Sequence, residues 1–254
     1  MALSHYPNSS VSMEYKSPAL EHARLLLLEQ IDRYGSISRA AKQINLSYRT
    51  AWNSVDAMNN LSRYPLLRYS AMGGTHLTRY GRVLVDAWRD WPTGGPLGAT
   101  KHYPEIERQL RAFMFGSNMR NHFRGRVTGI TREGALASVT LDIGSRIQLL
   151  ATLSEESLEE FRVDVGTAVL ALIHPDAVML TPDCDVRISA RNRLKGKVLD
   201  VALGPVNSEI KLRLSPSRTL TALVTNASAN ELALSAGQEC TALFKASQVM
   251  LAQA

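Results

Sequence analysis

The chain has 254 residues, an apolar content of 45% and a net charge of +6, which allows two or three soluble domains, each with its own core. No apolar run reaches the roughly 20 residues of a membrane span, and no signal peptide is evident. Two cysteines without metal-site spacing predict reduced thiols in a cytoplasmic protein. Residues 1–112 hold 14 Lys and Arg against nine Asp and Glu, so the N-terminal half favours a polyanionic partner.

The N-terminal segment changes from irregular to helical within its first 20 residues. Residues 1–18 are rich in Ser, Pro, Asn and Tyr and are expected to form a loose leader. Residues 19–33 carry Leu20, Ala23, Leu27 and Ile31 at helical spacing, which predicts an amphipathic helix. The Tyr-Gly pair that follows is a typical helix end, since glycine suits the position after the last turn.

Two further helices follow, separated by a tight turn. The first is expected over Arg39–Ile44, with Ser36 and Ser38 as candidate N-caps. The second is expected over Tyr48–Leu61, capped by Ser47. A helix, a tight turn and a second capped helix are the helix-turn-helix plan, in which the second helix reads the major groove of DNA.

The second of these helices begins with the polar groups that DNA recognition uses. Hydroxyls, a guanidinium and an amide bond to base edges and phosphates. Seven Lys and Arg but only one acidic residue lie between Gly35 and Arg82. Such charges are usually only solvated, but their position around this motif favours nucleic acid. The residues predicted to contact DNA are Ser36, Ser38, Ser47, Tyr48, Arg49, Thr50, Asn53 and Arg79.

Two short strands and two helices complete the first half. Leu66–Tyr69 and His76–Thr78 flank a turn with paired glycines, and this hairpin predicts a very short wing. Helical patterns follow over Gly81–Trp91 and Ile106–Phe115. Residues 19–115 are therefore predicted to form one winged helix-turn-helix domain.

The second half is a repeat with a constant offset of 71 residues. Arg120 recurs as Arg191, and glycines and the last strand residues of the two copies match at the same offset. Strict alternation over Ala137–Ile143 predicts a half-buried strand. The two copies, residues 116–183 and 184–254, are each expected to form five short strands that close on themselves as an OB-like barrel.

One polar cluster in the second copy suggests an anion site. Ser189 and Arg191 lie at the start of its first strand, Lys245 lies near its end, and Thr225 and Ser228 lie between. Two cations and several hydroxyls form a donor-only site for a tetrahedral oxyanion. An ordinary β-domain surface is the alternative interpretation. No carboxylate pair or Ser–His constellation accompanies the cluster, so catalysis is not predicted.

Both halves resemble one family. The runs Gly35–Lys42, Ser47–Trp52 and Leu77–Gly81 are similar to the LysR-like winged helix of the ModE molybdate-dependent transcriptional regulators, and Ser189–Asn192 resembles the signature of Mop (TOBE) domains. The resemblance implies an α+β multidomain protein with dimerisation helices in its N-terminal domain. It also implies a cytoplasmic homodimeric repressor or activator, not an enzyme, that binds molybdate, usually tungstate as well, and then double-stranded operator DNA.

The resemblance also implies the roles of individual residues. Ser189, Arg191 and Lys245 would bind the oxyanion, with Thr225 and Ser228 supplied across a subunit or domain interface. The matching residues of the first copy are Asn118, Arg120, Ser154, Ser157 and His174. Asn118 in place of serine and His174 in place of lysine depart from the family pattern, so a site there is expected to be weaker, pH-sensitive or lost.

Two other functions are alternatives to a molybdate-responsive regulator. A storage or buffering protein for molybdenum or tungsten oxyanions would keep a DNA-binding domain that it no longer uses. The complete basic helix Ser47–Asn53 argues against that hypothesis. An enzyme acting on molybdenum cofactor would need a catalytic constellation, and none is found in the sequence.

Overall fold

The structure is a computed structural model in which the helical first part is followed by two five-stranded antiparallel sheets. None of the helices in the described part of the chain is long and apolar enough to span a bilayer. Residues 1–17 of the expected leader and Cys184 lie outside the description, whereas Cys240 is a buried thiol whose Sγ donates to Thr181 O at 3.3 Å. The described ranges are 18–70, 74–89, 106, 109–110, 113, 119–183 and 185–253.

The first three helices confirm the predicted helix-turn-helix. Helix α1 covers Pro18–Tyr34, α2 covers Ile37–Gln43 and α3 covers Tyr48–Leu61. Helix α2 begins two residues before the predicted start because Ser36 Oγ accepts a hydrogen bond from the Arg39 amide at 3.4 Å. Ser38 was also a candidate cap, and this was wrong, since it lies inside α2.

The predicted wing is present as a two-stranded hairpin. Strand β1 covers Leu67–Ser70 and pairs antiparallel with β2, Gly74–Leu77. Helix α4 covers Arg79–Arg89, again earlier than predicted, because Thr78 Oγ1 accepts from the Gly81 amide at 3.1 Å. Of the helix predicted over 106–115, the structure describes four positions, 106, 109, 110 and 113, and all four are helical.

Ser47 stabilises the start of α3 as its N-cap. Its Oγ accepts from the Thr50 amide at 3.0 Å. We expect Ser47→Ala to lower the free energy of unfolding by about 1 kcal/mol, because the first turn then loses a partner for its backbone N–H groups. Urea denaturation measures this change. Ser38→Ala is the matched control, since Ser38 is exposed and caps nothing; an equal loss in both variants would contradict the assignment.

The repeat appears as two strand series with the predicted offset of 71 residues. Each series has five strands, a short helix after the third strand and a 3₁₀ turn before the fifth. The first series is β3 (Asn121–Glu133), β4 (Leu136–Asp142), β5 (Gln148–Ser154), α5 (Glu155–Glu160), β6 (Ala168–Ile173), a turn (Pro175–Ala177) and β7 (Met179–Thr181). The second is β8 (Asn192–Leu203), β9 (Asn207–Ser215), β10 (Arg218–Thr225), α6 (Asn226–Glu231), β11 (Glu239–Phe244), a turn (Ala246–Gln248) and β12 (Val249–Gln253).

The two copies exchange their last strands. The strand orders are β12-β6-β3-β4-β5 and β10-β9-β8-β11-β7. Strand β7 therefore completes the sheet of the second copy, with Leu180 opposite Ala242, and β12 completes that of the first, with Leu251 opposite Ala171. The five strands of one copy were expected to close on themselves, whereas each observed sheet takes its fifth strand from the other copy. The two sheets share one continuous apolar core.

The helical part rests directly on the first sheet. Leu170 and Leu172 of β6 are buried in the core that α1, α3 and α4 form. Leu27 and Leu28 of α1 and Met58 of α3 are fully buried in this core. Burial of each such side chain contributes roughly 1.5–3 kcal/mol, so apolar packing holds the winged-helix part against the first sheet.

Candidate functional site

The first turn of α3 presents polar side chains to solvent. Tyr48 is 55% exposed and the side chain of Arg49 is 54% exposed. The hydroxyls of Ser47 and Thr50 lie 2.8 Å apart and are also exposed. This turn offers donors, acceptors and a guanidinium at the surface, as the sequence predicted, and its geometry suits contacts with DNA.

The other predicted DNA contacts have different surroundings. Ser36 is the cap of α2, Ser38 is exposed on α2, and Arg79 is exposed as the first residue of α4. Asn53 lies further along α3, and its Oδ1 accepts a hydrogen bond from Lys211 Nζ of β9. The polar residues at the start of α3 are therefore exposed, whereas Asn53 is hydrogen-bonded to the second sheet.

Helix α3 lies between the wing and the second sheet. The rings of Tyr48, Trp52 and Tyr69 contact one another in series, with centroids 5.9 and 6.2 Å apart. On the other side Arg49 lies 3.3 Å from Asp200 of β8. Both charged side chains are more than half exposed, and such pairs contribute about 0–1 kcal/mol. Arg49 is therefore available to another partner.

The hydroxyls predicted for the oxyanion site form two equivalent capping pairs. Ser154 Oγ accepts from the Ser157 amide at 3.1 Å, and the two hydroxyls are 2.8 Å apart. Thr225 Oγ1 accepts from the Ser228 amide at 3.1 Å, with hydroxyls 2.9 Å apart. Each pair lies where a strand ends and a six-residue helix begins. Their first role is local, because they satisfy backbone groups at these helix starts.

The strand exchange places the 3₁₀ turn of each copy against a strand of the other copy. Lys245 precedes the 3₁₀ turn of the second copy, and this turn packs against β5, the strand that ends at Ser154. His174 precedes the equivalent first-copy turn, which packs against β10, the strand that ends at Thr225. Each turn therefore lies beside a strand of the other copy. The sequence had instead suggested that Lys245 lies with Thr225 and Ser228.

The two copies of the predicted arginine differ in their partners. Arg191 and Ser189 are exposed just before β8, and Lys245 is also exposed. Within the described residues, neither Arg191 nor Lys245 is within ion-pair distance of a carboxylate. Arg120 of the first copy instead pairs with Glu209 of β9. His174 lies 3.3 Å from the Asp176 carboxylate, and Asn118 lies outside the described residues. Uncompensated positive charge is thus found in the second copy.

The asparagine after each arginine ties the two copies together. The Asn192 side chain donates to Leu150 O at 2.9 Å and accepts from the Leu150 amide at 2.8 Å. The Asn121 side chain does the same with Thr221, at 2.8 and 2.7 Å. Both asparagines are almost fully buried. Each therefore occupies a backbone donor and acceptor on a strand of the other copy and fixes the position of the arginine beside it.

Arg218 forms a buried junction that the sequence analysis missed. Its Nε donates to Ile143 O at 2.7 Å, Nη2 donates to Ser62 O at 2.9 Å, and Nη1 donates to Asn59 O. A cation on the last carbonyls of α3 is favourable because of the helix dipole. Gly144 has φ +86°, and a Cβ there would lie 3.2 Å from Nη2. Burial lowers the pKa of Arg218 to about 10, so the side chain stays charged at neutral pH.

Two further contacts hold α3 against the second sheet. The Asn60 amide donates to Thr219 O at 2.8 Å and accepts from the Thr219 amide at 3.0 Å. Lys211 Nζ lies 2.9 Å from the Asp56 carboxylate, and both side chains are nearly buried. Burial raises the pKa of Asp56 against the opposing effect of Lys211. Because desolvation offsets much of a buried ion pair, this pair fixes the geometry more than it adds stability.

The chemistry of the described residues is that of binding. No group of three or more His, Cys, Asp or Glu side chains among them is placed to hold a metal cation. The exposed functional groups near Arg191 and Lys245 are cations and hydroxyls, which donate hydrogen bonds to an anion. The geometry therefore provides an exposed polar turn with a guanidinium at the start of α3 and uncompensated cations on the tandem sheets.

Comparisons with known proteins match both parts. Residues 22–82 match the bacterial regulatory helix-turn-helix proteins of the lysR family, and residues 117–180 and 188–251 each match the TOBE domain. The "Molybdenum transport protein ModE" of Azotobacter vinelandii is 36% identical, over 92% of each chain. The chain belongs to the ModE family of molybdate-dependent regulators. The matched ranges coincide with the helix-turn-helix part and the two strand series of the fold.

Other comparisons agree with this assignment. The "DNA-binding transcriptional dual regulator ModE" of Escherichia coli K12 is 28% identical, over 90% of this chain and 91% of its own length. The crystal structure of the cytoplasmic molybdate-binding protein ModG with molybdate bound is 33% identical. It superposes with a TM-score of 0.52 and covers 54% of this chain and 98% of its own. That share corresponds in size to the two sheets alone.

Proposed function

We propose that this ModE-family protein binds molybdate on its tandem sheets and changes its affinity for operator DNA in response. The observation that carries the proposal is the uncompensated cations Arg191 and Lys245, in a chain that also exposes the capped first turn of α3 with Arg49. Molybdate, or tungstate of the same shape and charge, is a tetrahedral dianion. Charged donors bind such oxyanions about twice as strongly as neutral ones.

The second copy supplies the principal cations. Ser189 and Arg191 would donate from one side, and Lys245 from the other. Because the turn that follows Lys245 packs on β5, Ser154 and Ser157 are as well placed to join Lys245 as Thr225 and Ser228 are. The first copy would bind more weakly, since Arg120 is neutralised by Glu209 and His174 lies beside Asp176. Closure of each five-stranded sheet as an OB-like barrel is part of this proposal.

The DNA-bound form would be a homodimer in the cytoplasm. Two copies of α3 would enter successive major grooves about 34 Å apart. Molybdate held between domains or subunits would favour the arrangement with that spacing. A ligand shifts such an equilibrium only by the difference between its affinities for the two arrangements, typically about 1–3 kcal/mol.

Strand β10 connects Thr225, one of the candidate oxyanion donors, to α3. It runs from Arg218, which holds the C-terminal carbonyls of α3, through Thr221, clamped by Asn121, to the Thr225 hydroxyl. Its eight residues span roughly 25 Å, at about 3.4 Å per residue. A displacement at Thr225 would therefore be transmitted to α3 through backbone hydrogen bonds rather than through a flexible linker.

Arg49→Ala tests the DNA-reading half of the proposal. We expect operator affinity to fall about tenfold or more, because a guanidinium that contacts a base edge or phosphate contributes about 1–3 kcal/mol. Titration of molybdate by calorimetry should give an unchanged affinity, since Arg49 lies on α3. Normal operator binding by the variant in a gel shift would contradict the assignment.

A single titration series separates this function from storage. Molybdate, tungstate and sulfate are added to the pure protein, with an operator gel shift at each ratio. A few anions per dimer and a shift that depends on molybdate support the regulator. Many anions per dimer without operator binding would support storage instead.

A further inference from the structure

A row of cations lines the outer face of strand β8. Arg191, Arg193, Lys195 and Lys197 occupy alternate positions and are exposed, while Asn192, Leu194 and Val198 between and beyond them are buried. Alternate residues of a strand point to the same face and lie about 6.8 Å apart. Arg191 belongs to the candidate oxyanion site. The other three cations, from Arg193 to Lys197, therefore span roughly 13 Å along the strand.

The same face of the first copy is covered by the winged-helix part. His122 and Arg124 of β3, which match Arg193 and Lys195, are only 7% and 8% exposed. Arg124 donates to Gln109 at 3.3 Å, and β3 contacts α3. The winged-helix part thus covers the basic face of the first copy, whereas the equivalent face of the second copy is exposed to solvent.

The open row continues to the DNA-reading helix. Arg213 of β9 lies opposite Lys197 in the sheet register. It also lines a cleft of about 510 Å³ together with Trp52 of α3 and Tyr69 of the wing. Three cations of the row and this arginine form the basic stripe, which consists of Arg193, Lys195, Lys197 and Arg213.

The stripe has little internal compensation. Within the described residues, none of its four side chains is within ion-pair distance of a carboxylate. Glu239 lies opposite Lys197 in the register of β11, and Asp200 is taken by Arg49. The Arg193 guanidinium donates to Ile188 O at 3.1 Å and to Ala190 O at 3.4 Å. Arg146 lines a groove of about 220 Å³ beside Arg193 and Lys195 and adds to the charge.

We propose that the basic stripe binds phosphates of the duplex that flanks the half-site read by α3. This inference rests on the proposed DNA-binding function and extends it to the second sheet. Cations in a row suit an extended polyanion, whereas one small oxyanion would occupy a single fork. Its position beside Trp52 and Tyr69 makes the stripe continuous with the reading helix, so DNA that leaves α3 would run along β8.

The test compares the wild-type chain with the triple variant R193Q/K195Q/K197Q on two duplexes. One duplex holds only the operator, and the other adds about 15 base pairs on each side, a length well beyond the stripe's reach at roughly 3.4 Å per pair. On the longer duplex the slope of log affinity against log salt should fall by about 2 to 3, since each phosphate contact contributes about 0.9. Affinity at low salt should fall about tenfold or more. Affinity for the short duplex should be unaffected.

A control variant distinguishes an effect of the stripe from an effect of net charge. The variant R132Q/R162Q/R187Q removes three exposed arginines from the same half of the chain and should bind both duplexes normally. Equal losses in both triple variants, or equal losses on both duplexes, would overturn the proposal. So would a changed oligomeric state at unchanged DNA affinity, measured by light scattering, because the stripe would then be a protein interface.

The outcome also distinguishes this proposal from the function on which it rests. A wild-type chain that binds no operator, with or without molybdate, would overturn the proposed function and the stripe with it. A wild-type chain that prefers the longer duplex, with a stripe variant that keeps the full preference and salt slope, would overturn the stripe alone. Arg49→Ala should weaken binding to both duplexes.

Discussion

Arg191→Ala is expected to abolish the response of operator binding to molybdate while leaving basal, salt-dependent DNA binding in place. Arg191 is exposed and lies beyond ion-pair distance of every carboxylate that the structure describes, so its charge is available to an anion. Truncating one partner of a close charge pair costs about 2–5 kcal/mol. Molybdate affinity should therefore fall at least about 30-fold, as measured by calorimetry.

Arg120→Ala is the matched control within the same chain. Arg120 occupies the equivalent position of the first copy, but it is paired with Glu209, so its removal should change molybdate affinity much less. The assignment of the principal site to the second copy fails if Arg191→Ala keeps its affinity for molybdate. It also fails if Arg120→Ala shows the larger loss.

Arg218→Ala should have the largest effect on stability. The side chain is 3% exposed, and its guanidinium satisfies the carbonyls of Ile143, Asn59 and Ser62. Its removal leaves buried acceptors without partners and opens a cavity. Losses of this kind lower the free energy of unfolding by about 3–5 kcal/mol, measured by urea denaturation. Arg213→Ala, an exposed arginine on the preceding strand, should change it by less than about 0.5 kcal/mol.

Arg218→Lys separates stability from coupling. The lysine keeps the positive charge at the end of α3, but a single ammonium does not reproduce the planar fork that reaches three carbonyls. We expect a folded protein with normal molybdate affinity and a reduced effect of molybdate on operator binding. A full effect in this variant would show that β10 and Arg218 do not carry the coupling.

The helix-turn-helix could be predicted closely from the sequence because its determinants are local. Ser47 caps α3 through a residue three positions away, and the predicted range Tyr48–Leu61 is the observed one. The errors at α2 and α4 were also local. Ser36 and Thr78 extend these helices by two residues at their N-termini. Helical periodicity alone does not decide which of two neighbouring residues caps a helix.

The strand exchange could not be predicted, because the two copies end in nearly the same strand. Val178–Leu180 and Val249–Leu251 have the same sequence, Val-Met-Leu, so either sheet accepts either segment with a similar local preference. What differs is the path of the connecting chain, which periodicity does not report. For the same reason the sequence did not reveal that the turn at Lys245 packs against β5 rather than β10.

The junction between α3 and the second sheet was missed because its residues look like surface residues. Lys211 and Arg218 lie in strands with other polar side chains, and a charged residue in such a pattern is usually exposed. Their partners in α3 are more than 150 positions away along the chain. The repeat contained one usable signal, since Asn121 and Asn192 recur at the constant offset and both prove to be buried clamps.

The measurement that bears most directly on the proposed mechanism is the molybdate affinity of the wild-type protein, determined by calorimetry with and without saturating operator DNA. If molybdate bound near Arg191 and Lys245 is coupled to α3, operator must tighten molybdate binding by the same factor by which molybdate tightens operator binding. A coupling of about 1–3 kcal/mol corresponds to a factor of roughly 5–150. Equal molybdate affinities in the two titrations would contradict the account.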